Sequence, residues 1–304
     1  MCLYIGSKSK FVAEHDIIVY KKLYKVSGGR WVTPNREWPI EFNKVLIPEG
    51  VAREKEHGYK YIIEDGAIHA YTFSPNSRIG CNHVFIAKIP AGTRFWLQEN
   101  LREVAAEKMI ITTEHPEPGK RMDLSDYYHF GVDVYLKDGS RAKNDESFSV
   151  SDVIGLFAFD NRVISTKVEK EVISNNIFVD PENKYPYIGN FEKAMKDMNG
   201  YKNTKSLEKY LKDHPAIDIC KKLGENWYIP ALGELIKALS NLLCINLTLR
   251  KLNLPTIDYY EWFWSSSMRE KDYAWGCHGD GDCDWFYCDR VHDRNCVLPF
   301  LELS

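Results

Sequence analysis

A polar segment rich in proline, residues 114–121, divides this chain into two parts and constrains its fold more than any other feature. Proline restricts the backbone and removes a hydrogen-bond donor, so a segment of this composition is typical of a linker between domains. The chain has 304 residues, which is more than one domain usually contains. The sequence therefore predicts an N-terminal accessory domain of unknown activity over residues 1–120 and a larger C-terminal domain over residues 121–304.

The N-terminal part contains short runs of β-branched and aromatic residues separated by turns. Residues 16–20 and 84–89 are the clearest strands, because such residues favour the extended conformation. Residues 103–109 are predicted to form a short helix before a strand at 110–112. We therefore expect this smaller domain to be mainly β or α+β.

The C-terminal part begins and ends with strand patterns. Residues 131–136 form the first predicted strand, and the apolar run 153–159 suits a buried one. The last strand is predicted at 297–303. Pairing it with residues 131–136 would close the domain and cover both strand edges.

Helices are predicted between residues 190 and 250. The first is capped by Asn203 or Thr204, and its leucines share one face. The second begins at Pro215 and stops at Gly224, and the third follows the leucines of residues 232–242. Helices packed on an irregular β assembly predict an α+β fold class for the domain.

Residues 276–296, termed the window below, have an unusual composition. They hold four of the eight cysteines, five aspartates and two arginines, but no Glu, Lys, Gln or Met. Elsewhere Lys outnumbers Arg by 27 to 11. Charge does not explain this choice, since Asp resembles Glu and Arg resembles Lys, whereas a restriction on the available codons does. Because ordinary apolar residues flank the window, we expect the window to form a varied surface. The residues that hold it in place, termed the frame below, are expected to be fixed.

Several short motifs occur in order along the C-terminal part. They are GVDVY (131–135), VIGLF (153–157), MNGYKNT (198–204), WYIPALGEL (227–235), FWSSS (263–267) and VLPF (297–300). In these motifs the chain resembles the variable proteins of diversity-generating retroelements, whose ligand-binding domain has a C-type-lectin-like fold of the formylglycine-generating-enzyme type. In that family an error-prone reverse transcriptase alters template adenines, so that Asn codons become many residues but not Glu, Lys, Gln, Met or Trp. Trp285 departs from this rule and is expected either to belong to the frame or to be a position that is not diversified.

The resemblance implies a non-enzymatic ligand-binding protein, receptor-binding or adhesin-like, whose window meets a protein or glycan ligand on a cell surface. No cofactor is expected, and aromatic and arginine side chains would anchor the ligand. The residues expected to bind it are Gly276, His278, Asp280, Asp282, Asp284, Phe286, Tyr287, Asp289, Arg290, His292, Asp293 and Arg294.

Two other functions remain open for the window. Its cysteines, with His278, offer ligands for zinc, and the alternating carboxylates of residues 280–284 offer ligands for calcium. An EF-hand loop, however, needs Gly and Glu where Trp285 and Val291 stand. The second alternative is an oxidoreductase of the formylglycine-generating type, which would use a thiol pair such as Cys283 and Cys288.

Two sets of residues outside the window, three serines and four tryptophans, allow a structural interpretation. The serines at 265–267 lack the Gly-x-Ser-x-Gly elbow of a nucleophile, so their hydroxyls are expected to bind nearby backbone. Four tryptophans, Trp227, Trp262, Trp264 and Trp275, are expected in the core. Folding in the cytosol would keep the window cysteines as thiols.

Net charge and hydropathy exclude some classes of binding partner. A net charge of −3 and a pI near 6.3 give no electrostatic attraction to nucleic acid, and no apolar run is long enough to insert into a membrane. The N-terminal residues include Glu14, His15 and Asp16, which do not fit a signal peptide. Residues 66–71 and 89–93 resemble a module of phage and gut-bacterial proteins. We therefore expect cytoplasmic synthesis, followed by assembly into a virion or export by a non-Sec route; the oligomeric state stays undefined.

Overall fold

The computed structural model divides the chain into two units, Met1–Tyr128 and His129–Ser304. It describes residues 3–5, 9–33, 39–57, 60–63, 66–74, 82–172, 185–210, 215–258, 260–270, 273–279, 283–287 and 295–303. All structural statements below concern these residues.

The first unit consists of strands. Their bounds are β1 Leu3–Ile5, β2 Lys10–Val12, β3 Ile17–Lys25, β4 Trp31–Val32, β5 Val45–Leu46, β6 Glu54–His57, β7 Lys60–Ile63, β8 Ile68–Tyr71, β9 Asn82–Ile89, β10 Arg94–Leu97, β11 Glu103–Ala106 and β12 Met109–Ile111. The larger sheet has the order β2-β10-β11-β8-β3-β9-β12-β5, with β4 beside β3, and the smaller one has the order β1-β7-β6. The long pair β3 and β9 aligns Ile17 with Ile89 and Val19 with Ala87, which places these apolar side chains in the core.

The predicted helix at residues 103–109 is wrong. Strand β11 occupies Glu103–Ala106 and is hydrogen-bonded to β10 on one side and to β8 on the other. Val104, Ala105 and Ala106 are all fully buried there. A position between two strands in a sheet therefore decides the conformation of these residues, whatever their local helix propensity.

The second unit contains strands and five α-helices. The strands are β13 Val134–Leu136, β14 Arg141–Ala142, β15 Val153–Phe159, β16 Arg162–Ser165, β17 Glu169–Val172, β18 Trp227–Tyr228, β19 Trp262–Glu270, β20 Tyr273–His278, β21 Cys283–Tyr287, β22 Asn295–Val297 and β23 Phe300–Glu302. The helices are α1 Phe191–Ala194, α2 Gly200–Tyr210, α3 Pro215–Leu223, α4 Leu232–Leu239 and α5 Leu242–Lys251. Short 3-10 helices occupy Ser125–Phe130, where the two units meet along the chain, and Val150–Asp152.

One six-stranded sheet holds both predicted end strands but does not pair them. Its order is β14-β13-β15-β16-β23-β18, so β15 and β16 separate β13 from β23. The predicted pairing of residues 131–136 with 297–303 is therefore wrong. Leu298 and Pro299 also interrupt the last predicted strand, because proline cannot donate to a ladder, and β22 joins a different sheet from β23.

The helices follow the sequence patterns with one informative difference. Helix α3 begins at Pro215 and ends before Gly224, whose φ of 140° suits glycine, as predicted. Helix α2 begins at Gly200, earlier than the predicted caps. The hydroxyl of Thr204 donates to Ile229 O at 3.1 Å and accepts from Ile229 N at 3.0 Å, so it joins the helix to the segment after β18 instead of capping it.

The predicted third helix is two helices, α4 and α5, which bend by 63° at their junction. Both helices contain fully buried leucines, such as Leu235 in α4 and Leu247 in α5. None of the described helices is by itself long and apolar enough to cross a membrane, although α4 and α5 taken together meet the requirements of length and composition.

The predicted α+β class, with a C-type-lectin-like fold in residues 121–304, is wrong. The described residues form 23 strands in four sheets against five α-helices, so the protein is mostly β. The helices are conspicuous in the sequence because amphipathic repeats extend over several turns. Many strands have only two to four residues, as in β14 and β18, and such segments carry no measurable period.

A buried carboxylate ties α4 to the six-stranded sheet. Glu234 accepts hydrogen bonds from Ala231 N at 2.9 Å, from the Tyr228 hydroxyl at 3.1 Å and from Arg162 Nε at 2.9 Å. The bond from Ala231 N is half of a capping box, which satisfies a backbone donor at the start of α4. Arg162 also pairs with Glu302 at 2.6 Å. Glu234 thus links α4 to β16 and β18, and Arg162 extends the link to β23.

Candidate functional site

The window lies in the second sheet of this unit, which has the order β17-β22-β19-β20-β21. It begins inside β20, includes β21 at the edge of the described sheet, and ends inside β22. Residues 280–282 and 288–294 lie outside the described residues. Both ends of the window are therefore built into one sheet, on either side of β19.

A single row of paired residues crosses four strands of this sheet. Cys296 on β22 pairs with Phe263 on β19, which pairs with Cys277 on β20, which in turn pairs with Cys283 on β21. Cys296, Phe263 and Cys277 are fully buried, whereas Cys283 is half-buried. The row therefore runs from the core to the sheet edge and fixes both ends of the window.

Two buried tryptophans lie in this sheet, Trp264 on β19 and Trp275 on β20, and a third, Trp227, lies on β18 in the six-stranded sheet. Trp264 and Trp275 are 6% exposed, and Trp227 is 7% exposed, which confirms their predicted place in the core. The indole nitrogen of Trp275 donates to Ile188 O at 2.8 Å, and its ring lies 5.4 Å from that of Phe191. Polar and aromatic contacts together thus fix the orientation of β20.

The structure describes five of the twelve residues expected to bind a ligand. Gly276 is buried, and in the sheet it pairs with Trp264 on one side and Asp284 on the other. Phe286 and Tyr287 belong to β21, opposite Ala274 and Tyr273, and the fifth is His278. The other seven lie outside the described residues: Asp280, Asp282, Asp289, Arg290, His292, Asp293 and Arg294.

Besides the half-buried Cys283, the described part of the window has His278 and Asp284 at its surface. Asp284 is exposed on the edge strand. His278 is half-buried, and its ring lies 5.0 Å from the ring of Trp262, with which it also pairs across β19 and β20. Trp262 is itself half-buried, unlike the other three tryptophans expected in the core. This end of the β20–β21 pair thus has the aromatic pair of His278 and Trp262 and the carboxylate of Asp284.

The serines at 265–267 lie in the buried part of β19. Ser265 Oγ donates to Trp275 O at 2.6 Å, as the backbone-binding interpretation predicts. Ser267 Oγ differs, because it donates to the Asp197 carboxylate at 2.7 Å and accepts from Leu232 N at 2.9 Å. Ser266 Oγ has no hydrogen-bond partner among the described residues. The described hydrogen bonds of Ser265 and Ser267 are structural.

The thiol groups differ in their surroundings. Cys220 in α3 is buried, which raises its pKa to about 12, so it is inert as a nucleophile. Cys283 Sγ lies 3.0 Å from Cys277 Sγ, and Cys296 Sγ lies 3.5 Å from Glu261 Oε2. Among the described residues no group of three or more His, Cys, Asp or Glu side chains is arranged to hold a metal ion.

A cavity of about 410 Å³ lies near the C-terminal end of β19, where its lining residue Ile188 donates to Met268 O, and no sequence pattern predicts it. Asp197 lies in its wall and is saturated by donors, two from Asn199 and one each from Asn203 and Ser267. The lining residues are Tyr187, Ile188, Gly189, Asn190, Lys193, Lys196, Asp197 and Asn199. They come from an irregular segment, a short helix and a turn, so no periodic pattern or motif marks them.

Comparisons with known proteins place few constraints on this architecture. No family model and no curated protein matches the chain. Among solved structures, the chain is similar to a fimbrial protein from Bacteroides ovatus ATCC 8483, with a TM-score of 0.41 and 12% sequence identity. The similarity covers 94% of this chain, which spans 64% of the length of that structure. These comparisons assign the chain to no family.

Proposed function

We propose that this chain is a non-enzymatic ligand-binding protein, receptor-binding or adhesin-like, whose specificity resides in the window. One observation carries the proposal: the two ends of the window are buried on either side of Phe263 in one sheet, while Asp284 between them is exposed at the sheet edge. A segment anchored in this way can change its central residues without disturbing the core, since exposed substitutions cost little stability.

The buried ends narrow the part of the window that can contact a ligand. Gly276, Cys277, Asn295 and Cys296 are buried and belong to the frame. The proposed contact region is therefore residues 278–294, apart from Gly279, which is also buried. Tyrosine, phenylalanine and arginine in this region would anchor a protein or glycan ligand, and its aspartates would favour cationic or polar groups. The proposal needs neither a metal nor a cofactor.

The composition of the window supports a second proposal about its origin. Asp without Glu and Arg without Lys fit template-directed change at adenines, as in diversity-generating retroelements. Sequencing the genomic neighbourhood tests this. We expect a reverse transcriptase gene and a near-identical repeat that differs from the coding sequence only at template adenines. Differences spread over all four bases would contradict retroelement diversification and leave the binding proposal standing.

Binding itself is tested with the full chain on a glycan array and on a panel of intact bacterial cells. The window variant carries Asp280→Asn, Asp282→Asn, Asp284→Asn, Asp289→Asn, Arg290→Gln, Asp293→Asn and Arg294→Gln. The control variant carries Asp145→Asn and Glu225→Gln, which are exposed positions of the same unit outside the window.

The wild type and the control variant are expected to bind the same glycans or cells. The window variant should lose at least tenfold in affinity for them, because several polar contacts disappear together. Unchanged binding by the window variant would place the site elsewhere in the chain and overturn the proposal.

A further inference from the structure

The geometry points to a redox-active dithiol at the base of the window: we propose that Cys277 and Cys283 form a disulfide that staples the edge strand β21 to β20 when the protein meets a low-molecular-weight disulfide. The two residues are direct partners in the antiparallel ladder. Their thiol chemistry does not depend on the proposed function, because it requires no ligand at the window.

The backbone positions suit a disulfide. Directly paired residues in an antiparallel ladder have Cα atoms about 4.5 or 5.5 Å apart, and both separations lie within the range of about 4.4–6.8 Å found in disulfides. The Sγ atoms are already 3.0 Å apart, which is about 1 Å longer than an S–S bond. Bond formation therefore needs only a small side-chain adjustment within an existing strand pair.

The two thiols differ in exposure, and this difference assigns their roles. Cys283 is half-buried and accessible at the edge of the described sheet, whereas Cys277 is fully buried. The Cys283 thiolate attacks one sulfur of oxidised glutathione, which forms a mixed disulfide and releases one glutathione thiolate. The Cys277 thiolate then attacks Cys283 Sγ and releases the second glutathione. The protein loses two protons and two electrons, and the glutathione disulfide is reduced to two thiols.

The Cys277–Cys283 disulfide would constrain the part of the chain that carries the contact region. It closes a ring from residue 277 to residue 283, so it restricts the conformations open to the residues between them. A binding surface that is ordered in advance loses less entropy when it meets its ligand. This consequence, unlike the thiol chemistry, rests on the proposed function.

The experiment uses the full chain with Cys288→Ser, because Cys288 lies in the same tryptic peptide, residues 272–290, and could exchange with the pair. Cys277→Ser in this background removes the resolving thiol. Cys220→Ser in the same background is the matched control, since Cys220 is equally buried but lies in α3. Each protein is incubated with oxidised glutathione, unfolded, treated with N-ethylmaleimide and analysed by mass spectrometry.

In the Cys288→Ser protein and in the Cys220→Ser control, we expect Cys277 and Cys283 to escape the maleimide, to carry no glutathione and to become labelled only after reduction. In the Cys277→Ser variant, Cys283 should retain a glutathione adduct. Maleimide on both cysteines of the Cys288→Ser protein, or glutathione retained on Cys283 beside a labelled Cys277, would overturn the proposal.

A second measurement needs no further substitution and so stays decisive even where the Cys277→Ser variant does not fold. Amide hydrogen exchange is compared between the reduced and oxidised Cys288→Ser protein. Exchange at residues 284–287 should slow at least tenfold on oxidation, because an edge strand opens by separating from its neighbour. Equal exchange rates in the two forms would contradict the stapling of β21 to β20.

Discussion

At the scale of single residues, burial decides which side chains respond to pH and substitution. Lys21 in β3 is 7% exposed, and its ammonium group donates to His69 O. Burial lowers the pKa of Lys21 to about 8, although the charge of Glu103 acts in the opposite direction. The N-terminal unit therefore holds a lysine whose charge costs folding free energy below that pKa.

The sign of the pH dependence follows from this lowered pKa. Between about pH 8 and its ordinary value of 10.5, Lys21 binds fewer protons in the folded state than in the unfolded state. Its contribution to the free energy of unfolding is therefore largest above pH 10.5 and is lost as pH falls through 8. Lys21→Met should remove this rise in stability between pH 8 and 10, as measured by urea unfolding. The neighbouring Lys22→Met is the control and should keep the wild-type slope; a parallel slope in Lys21→Met would refute the assignment.

The buried frame and the exposed surface of the window sheet should differ strongly in how much stability a substitution costs. Trp275→Ala should lower the free energy of unfolding by about 3–5 kcal/mol, because it leaves a large cavity between β20 and the segment around Ile188. Asp284→Asn changes an exposed side chain and should alter it by no more than about 0.5 kcal/mol. Chemical denaturation of both variants checks this, and the reverse order would mean that Asp284, and not Trp275, is part of the core.

At the scale of secondary-structure elements, the sequence predicts those segments whose conformation depends on neighbours along the chain. Strand β15 is a continuous apolar run, and α3 has proline at its start and glycine after its end, so both were predicted correctly. Strand β11 was mistaken for a helix because its conformation depends on β8 and β10. For the same reason β18, which pairs with β23 near the chain terminus, carries no local signal.

The junction of α4 with the six-stranded sheet depends on Glu234. Glu234→Ala should lower the free energy of unfolding by about 3 kcal/mol, since it leaves the half-buried Arg162 and the backbone donor of Ala231 without this carboxylate. The expected loss is at the low end for a broken buried pair because Glu302 remains beside Arg162. Glu225→Ala removes an exposed carboxylate of the same unit and should have almost no effect in the same denaturation experiment. Equal losses for the two variants would show that the Glu234 contacts contribute nothing specific.

At the scale of the whole molecule, the amino-acid composition marks the window. The composition does not predict which window residues belong to the buried frame. The restricted residue set of 276–296 marks the segment, but the same composition covers buried Cys277 and exposed Asp284 alike. Only the pairing of β22, β19, β20 and β21 separates the frame from the contact region. The fold class was missed because the helices dominate the sequence pattern, whereas the sheets are assembled from short strands distant in sequence.

The central claim is that the contact region can change while the frame cannot. Urea unfolding of three full-length proteins tests this most directly: the wild type, the window variant with its seven substitutions, and Phe263→Ala. Phe263 is fully buried between Cys277 and Cys296, so its loss should cost about 3–5 kcal/mol. The window variant should stay within about 1 kcal/mol of the wild type, because the proposal assigns all seven positions to a solvated surface, where substitutions cost little stability. A loss of several kcal/mol in the window variant, with Phe263→Ala little changed, would contradict the account.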